Sequence, residues 1–317
     1  MSNKFNAYFI HCITNMHVGS GDANYGIVDK LVQRDPVTDF PTIHPSSLKG
    51  ALREHFEKEL IHPNFDYGKI QTPFNKILEK VAKEFEKKEN ERSFGFLKEY
   101  LKDNIQIATV LKEIKKVEAI FGKEANGSDS ETGEYKFLGA DLVSLPVRCN
   151  FQQYVLGVNK TQISYLNAKA KLLTSQELFN GIEEVNKLFY QANQPTYRLF
   201  AEDIQIENAN KAAYSALLKT QCGLKCFDTK YASFDGESFK SIAKDLPVIA
   251  RNCIEDGTSQ NLWYEQVVPH ESVFLTFIAT TGSLKAEFEQ VLTSGVIQIG
   301  GNATIGYGLC KFYKTTL

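Results

Sequence analysis

The spacing of apolar residues changes twice along this chain, and that change fixes the class of fold it can adopt. Residues 6–18 (NAYFIHCITNMHV) alternate as a buried strand does. From Ser46 to Glu59 the spacing of Leu48, Leu52 and Phe56 becomes helical, behind a serine pair suited to an N-terminal cap. Over 73–120, Ile77, Val81, Phe85, Leu97, Leu101, Ile107, Leu111 and Ile114 recur at helical intervals among Lys and Glu, with no strand-like run. Strand-like segments then return at Phe137–Val147, 272–280 and 295–299, with a helix expected over 175–192 and a turn-rich segment over 125–134. The pattern predicts an α+β fold, a strand-rich frame interrupted by a helical lobe. With 317 residues, 43% of them hydrophobic, there is enough apolar material for two domains or for one with large insertions.

Other classes of protein are excluded on simple grounds. No run of eighteen apolar residues occurs and the N-terminus lacks a signal-peptide layout, so neither spanning a membrane nor secretion is expected; the cytoplasm is the expected compartment. Six cysteines are scattered, which argues against a disulfide scaffold, and Cys222 with Cys226 lacks two further ligands for zinc. A net charge of −2 gives no global attraction for polyanions, so any RNA surface must be local. The basic residues between Lys76 and Lys116 are matched by acids and read as a solvated helical face.

Local phosphate chemistry is concentrated in Met16–Phe56. Gly19, Gly21 and Gly26 allow close backbone approach to an anion, Asp29 follows in an apolar run, and Arg34 precedes a proline-bounded strand. Ser46, Ser47, Lys49 and Arg53 occupy the first turns of the helix expected there, a place suited to phosphate. Lys49 and Arg53 either face one phosphate run or point to water, and Arg34 either contacts RNA or pairs with Asp35 or Asp39.

A second glycine segment, IGGNATIGYGLCKFYK, sets Gly300, Gly301, Gly306 and Gly308 around Asn302 and Thr304. A dinucleotide fingerprint requires a helix after the glycines, whereas Leu309–Tyr313 reads as a strand. Two readings remain: a glycine-bent hairpin closing a sheet, or a loop that contacts a ligand.

Taken in order, GSGDANYGIVDKLVQRD, PTIHPSSLKGALRE, AIFGK, GADLVSLPVR, NLWYEQVVP and IQIGGNATIGYG resemble the RAMP superfamily of CRISPR proteins. More narrowly, they resemble the repeated backbone subunits of type III-B (Cmr) effector complexes. The resemblance implies a ferredoxin-like (RRM-type) core formed by 1–60, 121–207 and 259–317, a helical insertion or lid at 61–120, and a protruding thumb at 208–258. It implies as partners a guide (CRISPR) RNA, a target RNA, further copies of the chain and other subunits of the complex. Many copies with one small basic patch each would answer the objection raised by net charge.

The resemblance also distributes roles. Gly19, Gly21, Arg34, Ser46, Ser47, Lys49, Arg53, Gly300, Gly301, Asn302, Thr304 and Gly306 are assigned to RNA. Asp29 is assigned to metal-dependent cleavage of target RNA, with a divalent cation, Mg2+, as cofactor; by spacing alone it is a turn or cap residue. His17, as a proton shuttle or phosphate donor, and Glu265 are candidate assistants, although an isolated His beside a strand is usually a satisfied core or surface group. Glu265 is followed by Gln266 where the resembling proteins often carry a second acid. Trp263 and Tyr264 are either base-stacking or core residues. A guide-holding subunit without catalysis and the related type III-A backbone subunit are the competing readings. A guide-processing nuclease is disfavoured by an acid at position 29, and a nucleotide-dependent enzyme by the lack of a Walker pattern.

Overall fold

The structure, a computed structural model, describes residues 5–21, 27–61, 105–123, 131–179, 187–188, 199–208, 231–255 and 258–315. Gly26, Cys222, Cys226, most of the segment expected to form the helical lobe and much of 208–258 lie outside the described residues. The chain divides into two compact units, one formed by Met1–Leu52 with Tyr135–Leu317 and the other by Arg53–Glu134.

The larger unit is built on one mixed sheet of twelve strands. Strand β1 (Phe5–Cys12) is buried on both faces except at its ends, because FNAYFIHC carries apolar or small residues at nearly every position. Strands β2 (Thr42–Ile43), β5 (Lys136–Phe137), β6 (Ala140–Arg148) and β7 (Tyr154–Asn159) follow it in the same sheet. Strands β8 (Lys187–Leu188), β9 (Leu199–Ala201), β10 (Ile204–Asn208) and β11 (Tyr231–Phe234) extend the sheet beyond β7. The last three are β14 (Val273–Ala279), β15 (Ile297–Gln298) and β16 (Leu309–Lys314). Along the sheet the order is β15-β16-β1-β14-β6-β7-β11-β8-β10-β9. Thus β1 lies between two strands from the far end of the chain, pairing Phe5 with Ala279 and Tyr8 with Lys314, antiparallel in both cases.

A core of Phe9, Val143, Leu156, Phe179, Leu275 and Phe277 fills one side of this sheet. Each such side chain contributes about 1.5–3 kcal/mol on burial. The helix that covers the core differs from expectation. It runs over Lys160–Thr174, ahead of the expected 175–192 segment, of which 180–186 and 189–192 lie outside the described residues: Asn159 caps its start by accepting from the Gln162 N–H, and Ser175 ends it in a left-handed conformation at φ 65°. Residues after Ser175 leave the helix, and β8 occupies 187–188.

Helix α1 (Pro45–Phe56) opens one residue before the serine pair, with proline in the first helical position, where its missing N–H costs nothing. Leu48 and Leu52 point into the larger unit. Residues 53–61, helix α2 (Ile105–Phe121) and the strand pair β3 (Gly122–Lys123) and β4 (Glu131–Thr132) belong to the described part of the smaller unit. There Phe56 meets Phe121 edge to face, their ring centroids 5.4 Å apart. Helix α3 is the Lys160–Thr174 helix just described, and α4 (Gly236–Lys244) is capped by Asp235, whose carboxylate accepts from the Ser238 N–H and hydroxyl. A separate antiparallel hairpin joins β12 (Val248–Glu255) to β13 (Thr258–Gln266). Helix α5 (Lys285–Ser294) buries Phe288 and Leu292 ahead of β15. Among the described residues no helix is long and apolar enough to cross a membrane.

The glycine-rich ending is a hairpin. Strands β15 and β16 pair antiparallel around a short 3-10 turn at Ala303–Ile305, flanked by Asn302 and Gly306 at φ 65° and 79°. The sheet-closing hairpin expected as one reading of this segment forms, and its turn also docks against the N-terminal glycine segment.

Candidate nucleic-acid interface

The two glycine segments, far apart in sequence, adjoin at His17. The Gly301 N–H donates to the His17 carbonyl at 2.9 Å. A Cβ on Gly300, at φ 86°, would lie 2.3 Å from that same carbonyl oxygen, so only glycine fits the approach. On the other side of His17, a Cβ on Gly19 would lie 3.2 Å from its Nε2. Gly19, Gly21, Gly300, Gly301 and Thr304 are all exposed. They form a glycine-lined surface on which an extended polyanion can approach the backbone.

Gln33 joins this surface to helix α1. Its side chain is buried, and its Nε2 donates to the Gly19 carbonyl at 3.2 Å and to the Ser47 hydroxyl at 2.9 Å. Its Oε1 accepts from the His44 N–H at 2.8 Å. One amide therefore fixes the first turn of α1 against the glycine segment. Ser46 is exposed and Lys49 half-buried on the same first turns. Arg53, one turn further on, donates from Nε to Glu57 at 3.0 Å.

Arg34 is turned elsewhere. Its Nη1 donates to the carbonyls of Asp39 at 2.7 Å and Ala243 at 3.0 Å, and its Nη2 to that of Lys244 at 3.1 Å. The guanidinium thus closes the C-terminal end of α4, where a cation meets the unpaired carbonyls and the negative end of the helix dipole. Burial lowers its pKa, with Asp39 and Asp245 opposing the shift. Of the two partners expected from the sequence, Asp39 is engaged, but through its backbone.

Asp29 is exposed and held from one direction. Its N–H donates to the Tyr264 carbonyl at 3.1 Å, and its Oδ2 accepts from the Tyr264 N–H at 2.7 Å. The Lys30 N–H also donates to the Tyr264 carbonyl at 3.2 Å, and the Gln266 N–H to the Lys30 carbonyl at 2.9 Å. Segment 29–30 is therefore laid along β13 as an extra, parallel rung. Lys30 Nζ sits 5.7 Å from the centre of the Trp263 ring. This cation–π contact gives the half-buried Trp263 a structural partner. Tyr264 is partly exposed beside it.

Glu265, the next residue on β13, lies inside the protein at 1% exposure. Its Oε2 meets Arg251 Nε at 3.0 Å and accepts from Asn302 Nδ2 at 2.9 Å. Arg251 Nη1 donates in turn to Asn302 Oδ1 at 3.1 Å, and the guanidinium stands 5.0 Å over the Tyr307 ring. His17 faces the other carboxylate oxygen, with Nε2 3.5 Å from Oε1. The Nδ1 of His17 lies 2.7 Å from the Gln266 carbonyl, which can only accept, so Nδ1 carries the hydrogen. His17 and Glu265 thus meet, as do Glu265 and Asn302, and all three are taken up in a buried network. Gln33, Arg251 and Tyr307 were missed by sequence reasoning. Nothing distinguishes a buried Gln in VQRD or an Arg in a segment without clear periodicity.

The donor set around Asp29 bears on the divalent cation that the resemblance implies. Among the described residues no three His, Cys, Asp or Glu side chains gather to hold a metal. Asp29 offers Oδ1, which has no hydrogen-bond partner among the described residues. Mg2+ characteristically takes one or two carboxylates, substrate phosphates and several waters. Asp29 fits an ion shared with bound RNA and not one caged by this chain.

A sequence profile of the RAMP superfamily matches residues 9–311. The chain is 23% identical to the CRISPR system Cmr endoribonuclease Cmr4 of Pyrococcus furiosus, over 97% of this chain and 94% of that protein. Its fold is similar to a chain of the type III-B Cmr-beta complex bound to cognate target RNA, with TM-score 0.66, 17% identity, and 98% and 96% of the two chains covered. It is likewise similar to oligomeric Cmr4 from Pyrococcus furiosus, with TM-score 0.62, 17% identity and both chains covered in full.

Proposed function

We propose that this chain, which belongs to the RAMP superfamily, is the repeated backbone subunit of a type III-B CRISPR effector complex, and that it holds guide RNA and cuts complementary target RNA at regular intervals. The observation that carries the reading is the placement of Asp29, an exposed carboxylate clamped to β13 by Tyr264. The Cmr4 relative, named as an endoribonuclease, and the similarity to a Cmr-beta chain with target RNA bound support the same reading.

Guide RNA lies along the surface that Gln33 and His17 tie together. Gly19, Gly21, Gly300, Gly301, Thr304 and Gly306 let its backbone approach closely, while Ser46, Ser47, Lys49 and Arg53 meet its phosphates. Asn302 contributes by shaping the loop, because its side-chain amide is bonded to Glu265 and Arg251. Arg34 contributes by holding α4. The position of β1 inside the sheet suits a ferredoxin-like core, in which the first strand is internal, while β11, inside the 208–258 segment expected as a thumb, belongs to that sheet.

Cleavage follows from what Asp29 can reach. Its free oxygen accepts a hydrogen bond from a target 2′-hydroxyl and takes its proton as the oxygen attacks the adjacent phosphorus; the P–O5′ bond breaks and the 5′ oxygen leaves with a proton from water. Asp29 would hold a divalent cation, which when bound would neutralise the charge that develops on the phosphate. His17 and Glu265 support the site from within the protein.

The test is a guide-loaded complex assembled with wild-type chain or with Asp29→Ala, given complementary RNA with and without Mg2+. The expected product is a ladder of evenly spaced cuts that needs both Asp29 and the metal. An equal ladder from Asp29→Ala removes the catalytic assignment and leaves a guide-holding subunit. An equal ladder in chelator removes the metal.

A further inference from the structure

Taking the reading above, in which Asp29 cuts the target, we infer that Arg251 is a positioning residue for that cut, acting through Glu265 and Asn302. Among the described residues, each hydrogen bond made by Asp29 goes to Tyr264. Where the carboxylate stands therefore depends on where β13 stands at Tyr264 and Glu265. The side chain of Glu265 is the anchor of that part of the strand, at 2% side-chain exposure.

Arg251 joins the two halves of the site. One nitrogen, Nε, meets Glu265 beside the cutting loop, and another, Nη1, bonds Asn302 in the glycine turn that abuts the guide surface. Asn302 completes a triangle by donating to the same Glu265 oxygen. Tyr307 holds the guanidinium from its face. The planar fork of arginine can make both bonds from one rigid group, which the single ammonium of lysine cannot reproduce. This triangle thereby fixes the distance between the guide-holding turn and the carboxylate that cuts the paired strand.

Removing Arg251 leaves a buried carboxylate without its main partner, and the strand has to shift to rehydrate it. Misplacement of a reacting group by about 1 Å costs on the order of 100-fold in rate. Loss of cutting without loss of binding is the signature that separates positioning from general support.

The experiment compares guide-loaded complexes carrying wild type, Arg251→Met, Arg251→Lys and Asn302→Gly. Asn302→Gly removes the amide yet keeps the left-handed backbone without strain. Target affinity, single-turnover cleavage at saturating target and thermal unfolding are measured for each. Arg251→Met is expected to cut about 10–100-fold more slowly with target affinity within about threefold of wild type, Arg251→Lys to recover part of the rate, and Asn302→Gly to be slowed as well. Wild-type cutting by an assembled Arg251→Met complex overturns the inference while leaving Asp29 as the cutting residue. So does a rate loss matched by equal losses of affinity and melting temperature, in Arg251→Met or, should that variant not assemble, in Asn302→Gly. If neither assembles, the network is purely structural and the inference is wrong. Undiminished cutting by Asp29→Ala overturns both this inference and the reading beneath it.

Discussion

The carboxylate of Asp29 accepts the Tyr264 N–H at 2.7 Å while the Asp29 N–H donates back to the Tyr264 carbonyl at 3.1 Å. The same side chain therefore has a structural bond and a free oxygen. Asp29→Asn keeps an acceptor for Tyr264 but loses the charge, whereas Asp29→Ala loses both. Both variants are expected to abolish cutting. Hydrogen exchange at the Tyr264 N–H is expected to remain slow only in Asp29→Asn, and equally fast exchange in both would show that the side-chain bond does not hold the loop.

The close approach of the glycine turn to His17 gives a graded pair of substitutions. Gly300→Ala places a methyl group 2.3 Å from the His17 carbonyl oxygen at a positive φ. Gly306→Ala meets the same unfavourable backbone region, φ 79°, with nothing within 4 Å. Denaturant unfolding is expected to show a loss of about 1–2 kcal/mol for Gly306→Ala, from the left-handed backbone alone. Gly300→Ala, with the clash added, is expected to lose about 3 kcal/mol or more. Equal losses would show that the turn does not press on His17.

Arg34 and Lys49 separate architecture from RNA contact. Arg34→Met removes three hydrogen bonds to carbonyls, two of them at the end of α4. It is expected to cost about 1–2 kcal/mol of stability and to leave the salt dependence of RNA binding unchanged. Lys49→Ala is expected to do the reverse, leaving stability unaltered and lowering the slope of log K against log salt by about 1. A changed slope in Arg34→Met would return that residue to the RNA surface.

Asp35 gives the fold an acid-sensitive turn. Burial is the largest single influence on its carboxyl and raises its pKa. The hydrogen bonds from the N–H and hydroxyl of Thr38 and the N–H of Val37, with the charge of Lys169, together outweigh burial and bring it below 3.8. A depressed folded value means that the stability contributed by Asp35 is fully present above its unfolded pKa and disappears as pH falls through the folded one. Asp35→Asn is therefore expected to flatten the stability–pH curve below about pH 4. An unchanged acid limb in denaturant titrations would refute this.

What could be read in the sequence divides along range of contact. The first strand and helix α1 follow from spacing, because their signals lie within a dozen residues, whereas spacing left the closing hairpin as one of two readings. Helix α3 was misplaced although its cap is local. Its buried Ile163, Leu166 and Ala170 stand among lysines and polar residues, a weak stripe beside Leu178, Phe179, Ile182 and Val185, whose spacing also reads as helical. The site was legible in its residue types but not in its wiring. Arg34 was expected to contact RNA or to pair with Asp35 or Asp39, yet two of its partners lie 209 and 210 residues away. Arg251 gave no signal at all, since neither its ion pair with Glu265 across the hairpin nor its hydrogen bond to Asn302, 51 residues away, has a spacing to detect.

The first strand is sandwiched between β14 and β16, meeting Ala279 and Lys314. During synthesis at roughly 5–20 residues per second, β1 waits tens of seconds for either partner to leave the ribosome. Over that interval an apolar strand with two open edges is exposed to every other nascent copy. For a subunit of the repeated kind proposed above, the hazard is greatest where its messages are translated together.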